Sequence, residues 1–239
     1  MPWHQYLAEP AAAKLIKKLR DLDVPDCENI DRRTLNSFGL RYKAMTKQEL
    51  RDLLANRSDL DFVRRDVFGR RPWIFDSDES YNLWRETIAS ELRLDGNNIL
   101  VVGSAATGFS LSPLKPGRPF RSLNDPSGGA SDVDMVILNE NLFTRAWDII
   151  VSFDRGRRLG FGEDSRAKIR LDVYWGLVAT WSIPENTDPA RSVLTALSTA
   201  GRIPPIRGHM ITCRLYRRRE DLEAYHVNSM RLLRLELSK

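Results

Sequence analysis

Two short runs of aliphatic residues constrain this chain more than any other feature. Ile99–Val102 and Val133–Leu138 are rich in Val, Ile and Leu and too short for a buried helix, so they read as strands. Helix-period segments surround them, which makes the expected fold class α/β (α+β). Ala11–Leu22 sets Leu15, Ile16, Leu19 and Leu22 on one face and Lys14, Lys17, Lys18 and Arg20 outside it. Thr46-Lys-Gln-Glu49 has the form of a capping box ahead of Leu50, Leu53 and Leu54. A further helix is expected from Asp78 or Ser80 through Leu92, stopped by Asp95-Gly96-Asn97-Asn98.

Beyond the first strand, residues 111–131 carry Pro113, Pro116, Pro119 and Pro126 with Gly117, Gly128 and Gly129, which excludes a regular element there. After the second strand, a helix is expected over Asn141–Arg155. Residues 167–181 alternate apolar and polar side chains from Ala167 and Ile169 to Ala179 and Trp181, the period of a strand. A break at Pro184–Pro189 precedes a short helix near Arg191–Thr199. A strand is then expected over His209–Tyr216, and a closing helix from Glu220. The organisation expected is a helical extension over 1–79, a core over 80–220 and a C-terminal helix over 221–239.

At 239 residues the chain can bury a core without staples. No apolar run approaches the ~18–20 residues of a membrane span. The start, Met1-Pro-Trp-His-Gln-Tyr, lacks the pattern of a secretory signal. A cytoplasmic protein with no membrane partner is therefore expected. Cys27 and Cys213 are far apart and read as reduced thiols, and His4, His209 and His226 lack zinc-ligand spacing. Lys and Arg number 37 against 32 Asp and Glu, and the whole excess of +5 falls after Gly201. Its densest part is Arg214, Arg217, Arg218 and Arg219. These suit a polyanion, unless they pair with Glu220, Asp221 and Glu223 nearby.

The chemistry-bearing stretch is Val101-Val-Gly-Ser-Ala-Ala-Thr-Gly-Phe109 followed by Ser131-Asp-Val-Asp-Met-Val-Ile137. On a strand, Asp132 and Asp134 project from the same face. Two adjacent carboxylates repel unless a cation lies between them. Magnesium takes one or two carboxylates plus substrate phosphates, which this pair offers. Gly103, Ser104 and Gly108 let backbone N–H groups and a hydroxyl approach an anion closely. A phosphate cradle with a metal-binding acid pair is the equipment of phosphoryl or nucleotidyl transfer.

In this order, Gly103-Ser104 and Asp132-Val-Asp134 resemble the nucleotidyltransferase superfamily that includes DNA polymerase β, clearly over residues 80–140. The resemblance implies a polymerase β-like core with a mixed sheet, two Mg²⁺ ions and an NTP substrate. It implies transfer of an NMP to an acceptor such as RNA, a protein, a small molecule or a second nucleotide. Small members of that superfamily also act in toxin–antitoxin and phage-defence systems, so such a setting is an expectation by resemblance. It implies a third carboxylate on a later strand, for which Asp172 is the candidate, although Lys168 and Arg170 are placed to pair with it. The strand 210–216 carries no acid, and if it occupied the third-acid position the site would be incomplete. The chain would then be a nucleotide- or RNA-binding module. Ser104 and Asp132 are 28 positions apart, longer than the family's usual spacing. Residues 111–130 therefore read as an inserted loop whose Lys115, Arg118 and Arg121 either clamp phosphates or ride on a surface. Tyr174, Trp175 and Trp181 read as core rather than as stacking surfaces for a base.

Overall fold

The computed structural model describes residues 46–123, 125, 129–156 and 160–239. The helix expected over Ala11–Leu22 lies outside the described residues, as does Cys27. Among the described residues the fold is mixed α/β, with eight α-helices and one four-stranded sheet.

Helices α1 (Lys47–Ala55) and α2 (Asp59–Phe62) lead into a π-helical turn, Val63–Phe68. The capping box at Thr46 forms as the sequence predicts, with the Thr46 side chain and Glu49 satisfying each other's free N–H groups. Helix α3 (Asp78–Leu92) runs into β1 (Ile99–Val102) through a 3-10 turn. The one-turn helix α4 (Ser104–Thr107) follows, then the long loop, then β2 (Val133–Leu138). Helices α5 (Glu140–Arg155) and α6 (Glu163–Tyr174) precede the short strand β3 (Leu177–Ala179). Helix α7 (Asp188–Ala200), strand β4 (Ile211–Tyr216) and helix α8 (Arg219–Leu237) complete the chain.

The sheet order is β1-β2-β4-β3, antiparallel at both edges and parallel between β2 and β4. That parallel pair needs the long crossover through α5, α6, β3 and α7. On one face, Ile99, Val101, Val133, Met135, Ile137, Val178, Cys213 and Leu215 are buried with Trp84 and Ile88 of α3, Ala146 and Ile150 of α5, and Val193 and Ala196 of α7. On the other, Leu100, Val102, Val136, Leu138, Leu177 and Tyr216 meet Leu222 of α8, Phe68 and Tyr225.

The first helices do not stand apart from the C-terminal one. Leu50, Leu54, Phe62 and Val63 share a cluster with Met230, Leu233 and Leu237. Arg234 fastens it by donating to Asp59 at 2.6 Å and to the Arg57 carbonyl at 2.8 Å.

The strand expected over 167–181 is not what forms. Most of the alternating stretch 167–181 is helix α6, and only Leu177–Ala179 is strand. The helix buries Ile169 and Asp172 and leaves Leu171 and Tyr174 outside, at 57% and 78% exposure. Leu171 keeps the phase of Ala167, Ile169 and Val173 and so completed an apparent period of two, while Tyr174 lies outside the core expected for it. The stretch is otherwise built of good helix formers, Arg, Ala, Lys and Leu, behind an acidic first turn of Glu163 and Asp164. Asp172 therefore stands on a helix, not on a strand.

Candidate functional site: a cation-lined cleft over a paired-acid strand

The face under α8 is apolar only in part. Toward the N-terminal ends of β2 and β4 it changes to Asp134, Thr212 and Arg214, which helix α8 leaves open to a cleft of about 730 Å³. Alternation along the strands accounts for this. Asp134 follows buried Val133 and precedes buried Met135, and Asp132, two residues before it, lies exposed at the cleft's rim.

Asp134 is held from two sides. Its register partner on β4 is Thr212, whose hydroxyl donates to Asp134 Oδ1 at 2.7 Å. On the other side, β1 ends opposite Asp134 at Val102, and Gly103 follows with φ of 66° and ψ of −151°. A Cβ on Gly103 would come 2.5 Å from Asp134 Oδ2. The glycine is needed both for its backbone conformation and for the carboxylate beside it. Ser104 opens α4 and lines the same cleft. That helix is a single turn, so it contributes little field of its own.

Five cations line the cleft with the two acids: Lys115, Arg118 and Arg121 from the long loop, Lys168 from α6 and Arg214 from β4. The loop is folded onto the site. Phe109 and Pro119 form an antiparallel bridge, and Ser110 N–H donates to the Arg118 carbonyl at 2.7 Å. At its base, Arg121 N–H donates to Ser131 Oγ and Ser131 N–H donates to the Arg121 carbonyl, both at 3.0 Å. His209 Nδ1 lies 2.9 Å from the Ser131 carbonyl, tying β4's approach to the same residue. The three basic residues of the loop thus belong to the cleft rather than to a distant surface.

Arg214 lies on the sheet face two residues beyond Thr212, with its guanidinium carbon 5.8 Å from the centroid of the Tyr225 ring. Burial works against its charge, but Asp134, Tyr225, Tyr216 and Asp172 outweigh that, and its pKa stands above the ordinary arginine value. Behind it, His226 is held neutral. Burial lowers its pKa to about 4, against the raising effect of its contact with the Leu222 carbonyl.

The remaining sequence candidates fall elsewhere. Asp172 does not line the cleft; its two oxygens each lie 3.2 Å from Lys168 Nζ, one helical turn away. Gly108 caps α4 at φ of 84°, where a Cβ would strike the Trp73 indole at 2.6 Å, so its role is backbone and packing. Among the four clustered arginines, only Arg214 enters the cleft. Arg217 bonds Asp221 at 3.0 Å, Arg218 bonds Glu140 at 2.7 Å and Arg219 lies 3.6 Å from Glu223. Sequence reasoning missed Thr212 and Lys168. Thr212 and Arg214 occupy alternate polar positions of the strand 211–216, a signal that was present but that names no chemistry without the neighbouring strand.

Among the described residues no third carboxylate lines the cleft with the pair. Among the described residues no three His, Cys, Asp or Glu side chains are grouped to share a metal ion. The strand beside β2 offers a hydroxyl and a guanidinium instead. Asp132 and Asp134, with oxygens open to the cleft, fit one hard cation whose other ligands are phosphate oxygens and water. Among the described residues no helix is long and apolar enough to cross a membrane. Comparisons with protein-family models, curated proteins and solved structures give no match to this chain.

Proposed function

We propose that the cleft binds a nucleoside triphosphate together with its magnesium ion, and that the chain is a nucleotide-binding module on a polymerase β-like scaffold. The observation that carries this reading is the lining at one end of a sheet face: Asp134 on β2 and Asp132 just before that strand, with Thr212 and Arg214 on the strand beside them. A triphosphate carries charge that Lys115, Arg118, Arg121 and Arg214 can neutralise, Lys168 being paired with Asp172, and magnesium would bridge its oxygens and the acid pair. Thr212 orients the Asp134 carboxylate, Gly103 gives it room, and Ser104 offers a hydroxyl to a phosphate oxygen. Arg214 adds a fixed positive charge on β4, a later strand that carries no carboxylate to stand as the third acid of the resemblance.

That difference is what separates binding from transfer. In nucleotidyl transfer an acceptor hydroxyl oxygen attacks the α-phosphorus, the bond to the bridging oxygen breaks, pyrophosphate leaves and the acceptor's proton needs a base. A threonine hydroxyl hydrogen-bonded to Asp134 and a guanidinium with a raised pKa are poor bases for that proton. A second reading, transfer of an NMP to RNA or protein, draws on the presence of two acids where one would anchor a cation.

One experiment tests both. Calorimetry with Mg²⁺-ATP, GTP, CTP and UTP should show binding that requires Mg²⁺ and weakens about 10–100-fold in Asp134→Asn. Absence of Mg²⁺-dependent binding for all four nucleotides would refute the module. Incubation with α-labelled NTPs, Mg²⁺ and total RNA or lysate should leave the label unincorporated. Transfer with released pyrophosphate, lost in the Asp132→Asn, Asp134→Asn double variant, would establish the second reading instead.

A further inference from the structure

The polar cleft continues past Arg214 to the far edge of the sheet. There Thr180 and Trp181, in the 3-10 turn after β3, line both this cleft and a second cavity of about 210 Å³. The small cavity differs in chemistry. Apart from Thr180 and Glu185 its walls are Trp181, Ile183, Ala190, Val193 and Leu194.

Trp181 is held out where the two cavities meet. The turn that carries it is pinned at both sides: Thr180 Oγ1 donates to the Cys213 carbonyl on β4 at 3.2 Å, and buried Ser182 Oγ donates to the Ala179 carbonyl at 2.7 Å. Phe161 meets the indole edge-on, with ring centroids 6.1 Å apart. Even so, Trp181 is 51% exposed, a large apolar surface to leave in water beside a polar cleft. The core fate expected for this residue from the sequence is not the one it has.

Ser104 follows the edge strand β1 and Thr180 follows the opposite edge strand β3, three interstrand spacings or about 14 Å apart across the sheet. Along that line the lining changes from hydroxyl, acid pair and cations to an aromatic face and aliphatic walls. A ligand that fits is anionic at one end and a flat ring at the other. We propose that Trp181 and the cavity beside it form the nucleobase subsite of a nucleotide whose phosphates lie against the cations. This rests on the Mg²⁺-nucleotide reading above. Every base offers a π face to an indole, so the subsite supplies affinity without depending on base identity.

The test compares two ligands of the full chain, Mg²⁺-ATP and Mg²⁺-tripolyphosphate, by calorimetry. The wild-type protein should bind ATP more tightly than tripolyphosphate. Trp181→Ala should weaken ATP by about 10–100-fold, the value of one base–aromatic stack, and leave tripolyphosphate unchanged. Trp181→Phe should keep most of the ATP affinity, which separates loss of a stacking face from loss of fold. Equal affinity of the wild type for both ligands, an unchanged ATP affinity in Trp181→Ala, or equal loss for both ligands would overturn the subsite while leaving the phosphate cleft standing. Failure of the wild type to bind either ligand would overturn the nucleotide reading itself, and the subsite with it.

Discussion

The two faces of the sheet are built to different rules. The face under α3, α5 and α7 is apolar from edge to edge, and its residues are sealed by helices carrying Trp84, Ile88, Ala146, Val193 and Ala196. The face under α8 begins the same way, with Val136, Leu138 and Tyr216, and then gives way to Asp134, Thr212 and Arg214. Among the described residues α8 and the π-helical turn cover this face where the opposite face has three helices, and part of the sheet lies open to the cleft. Side chains there are free to be polar because among the described residues a cleft, not a helix, meets them. Stability and chemistry are thereby divided between the faces, and substitutions on each should report on that division.

The largest effect belongs to the sealed face. Trp84 is fully buried, and its Nε1–H donates to the Ala200 carbonyl at 3.4 Å. Trp84→Ala should cost about 3–5 kcal/mol in denaturant unfolding while nucleotide affinity of the folded fraction stays unchanged. A change in affinity of the folded protein would break the proposed division.

The half-open face contributes its own stability through His226. Its pKa is depressed to about 4 from an ordinary 6.5, so between those values the unfolded chain binds the proton that the native state refuses. Stability should therefore be full above pH 6.5 and fall as pH drops toward 4, by roughly 3 kcal/mol across the window. His226→Phe should flatten that part of the pH–stability profile, and an unchanged slope would show that other groups are responsible.

Gly103 joins backbone and site. Gly103→Ala forces a side chain into φ of 66° and against Asp134 Oδ2. It should cost about 1–3 kcal/mol and, unlike Trp84→Ala, lower Mg²⁺-dependent binding as well. Loss of stability with intact binding would mean that the carboxylate tolerates displacement. The smallest effect is expected at Arg218, more than half exposed and paired with an equally exposed Glu140. Arg218→Ala should change stability by less than ~1 kcal/mol and leave nucleotide affinity alone, in contrast to Arg214→Ala.

The strands that carry the acid pair were legible because local pattern and tertiary role agree there. Val133–Leu138 forms the strand its apolar residues predict, and Asp132, just before it, lines the same cleft as Asp134. Helix α6 was not legible because Leu171, in phase with Ala167, Ile169 and Val173, is left exposed, an arrangement that only the surrounding packing decides. The site was half legible for the same reason. Gly103, Ser104 and the two aspartates belong to neighbouring segments, whereas Thr212 acquires meaning only from its register opposite Asp134. The arginines in and just after β4 show the reverse error. Clustered in sequence, they diverge in space to Asp221, Glu140 and Glu223, and only Arg214 remains at the cleft.

The hydrogen bond from Thr212 to Asp134 spans 78 residues of chain, as does the contact between His209 and Ser131. Closing so long a segment costs entropy that no neighbouring contact along the chain can recover in advance. The cleft is consequently a property of the fully assembled sheet, absent from the unfolded ensemble, and any ligand that occupied it would draw on the folding equilibrium. A nucleotide at 100 times its dissociation constant would add about 2.7 kcal/mol to the stability of the whole chain. A rise in melting temperature with ligand concentration would therefore report occupancy before any reaction is known.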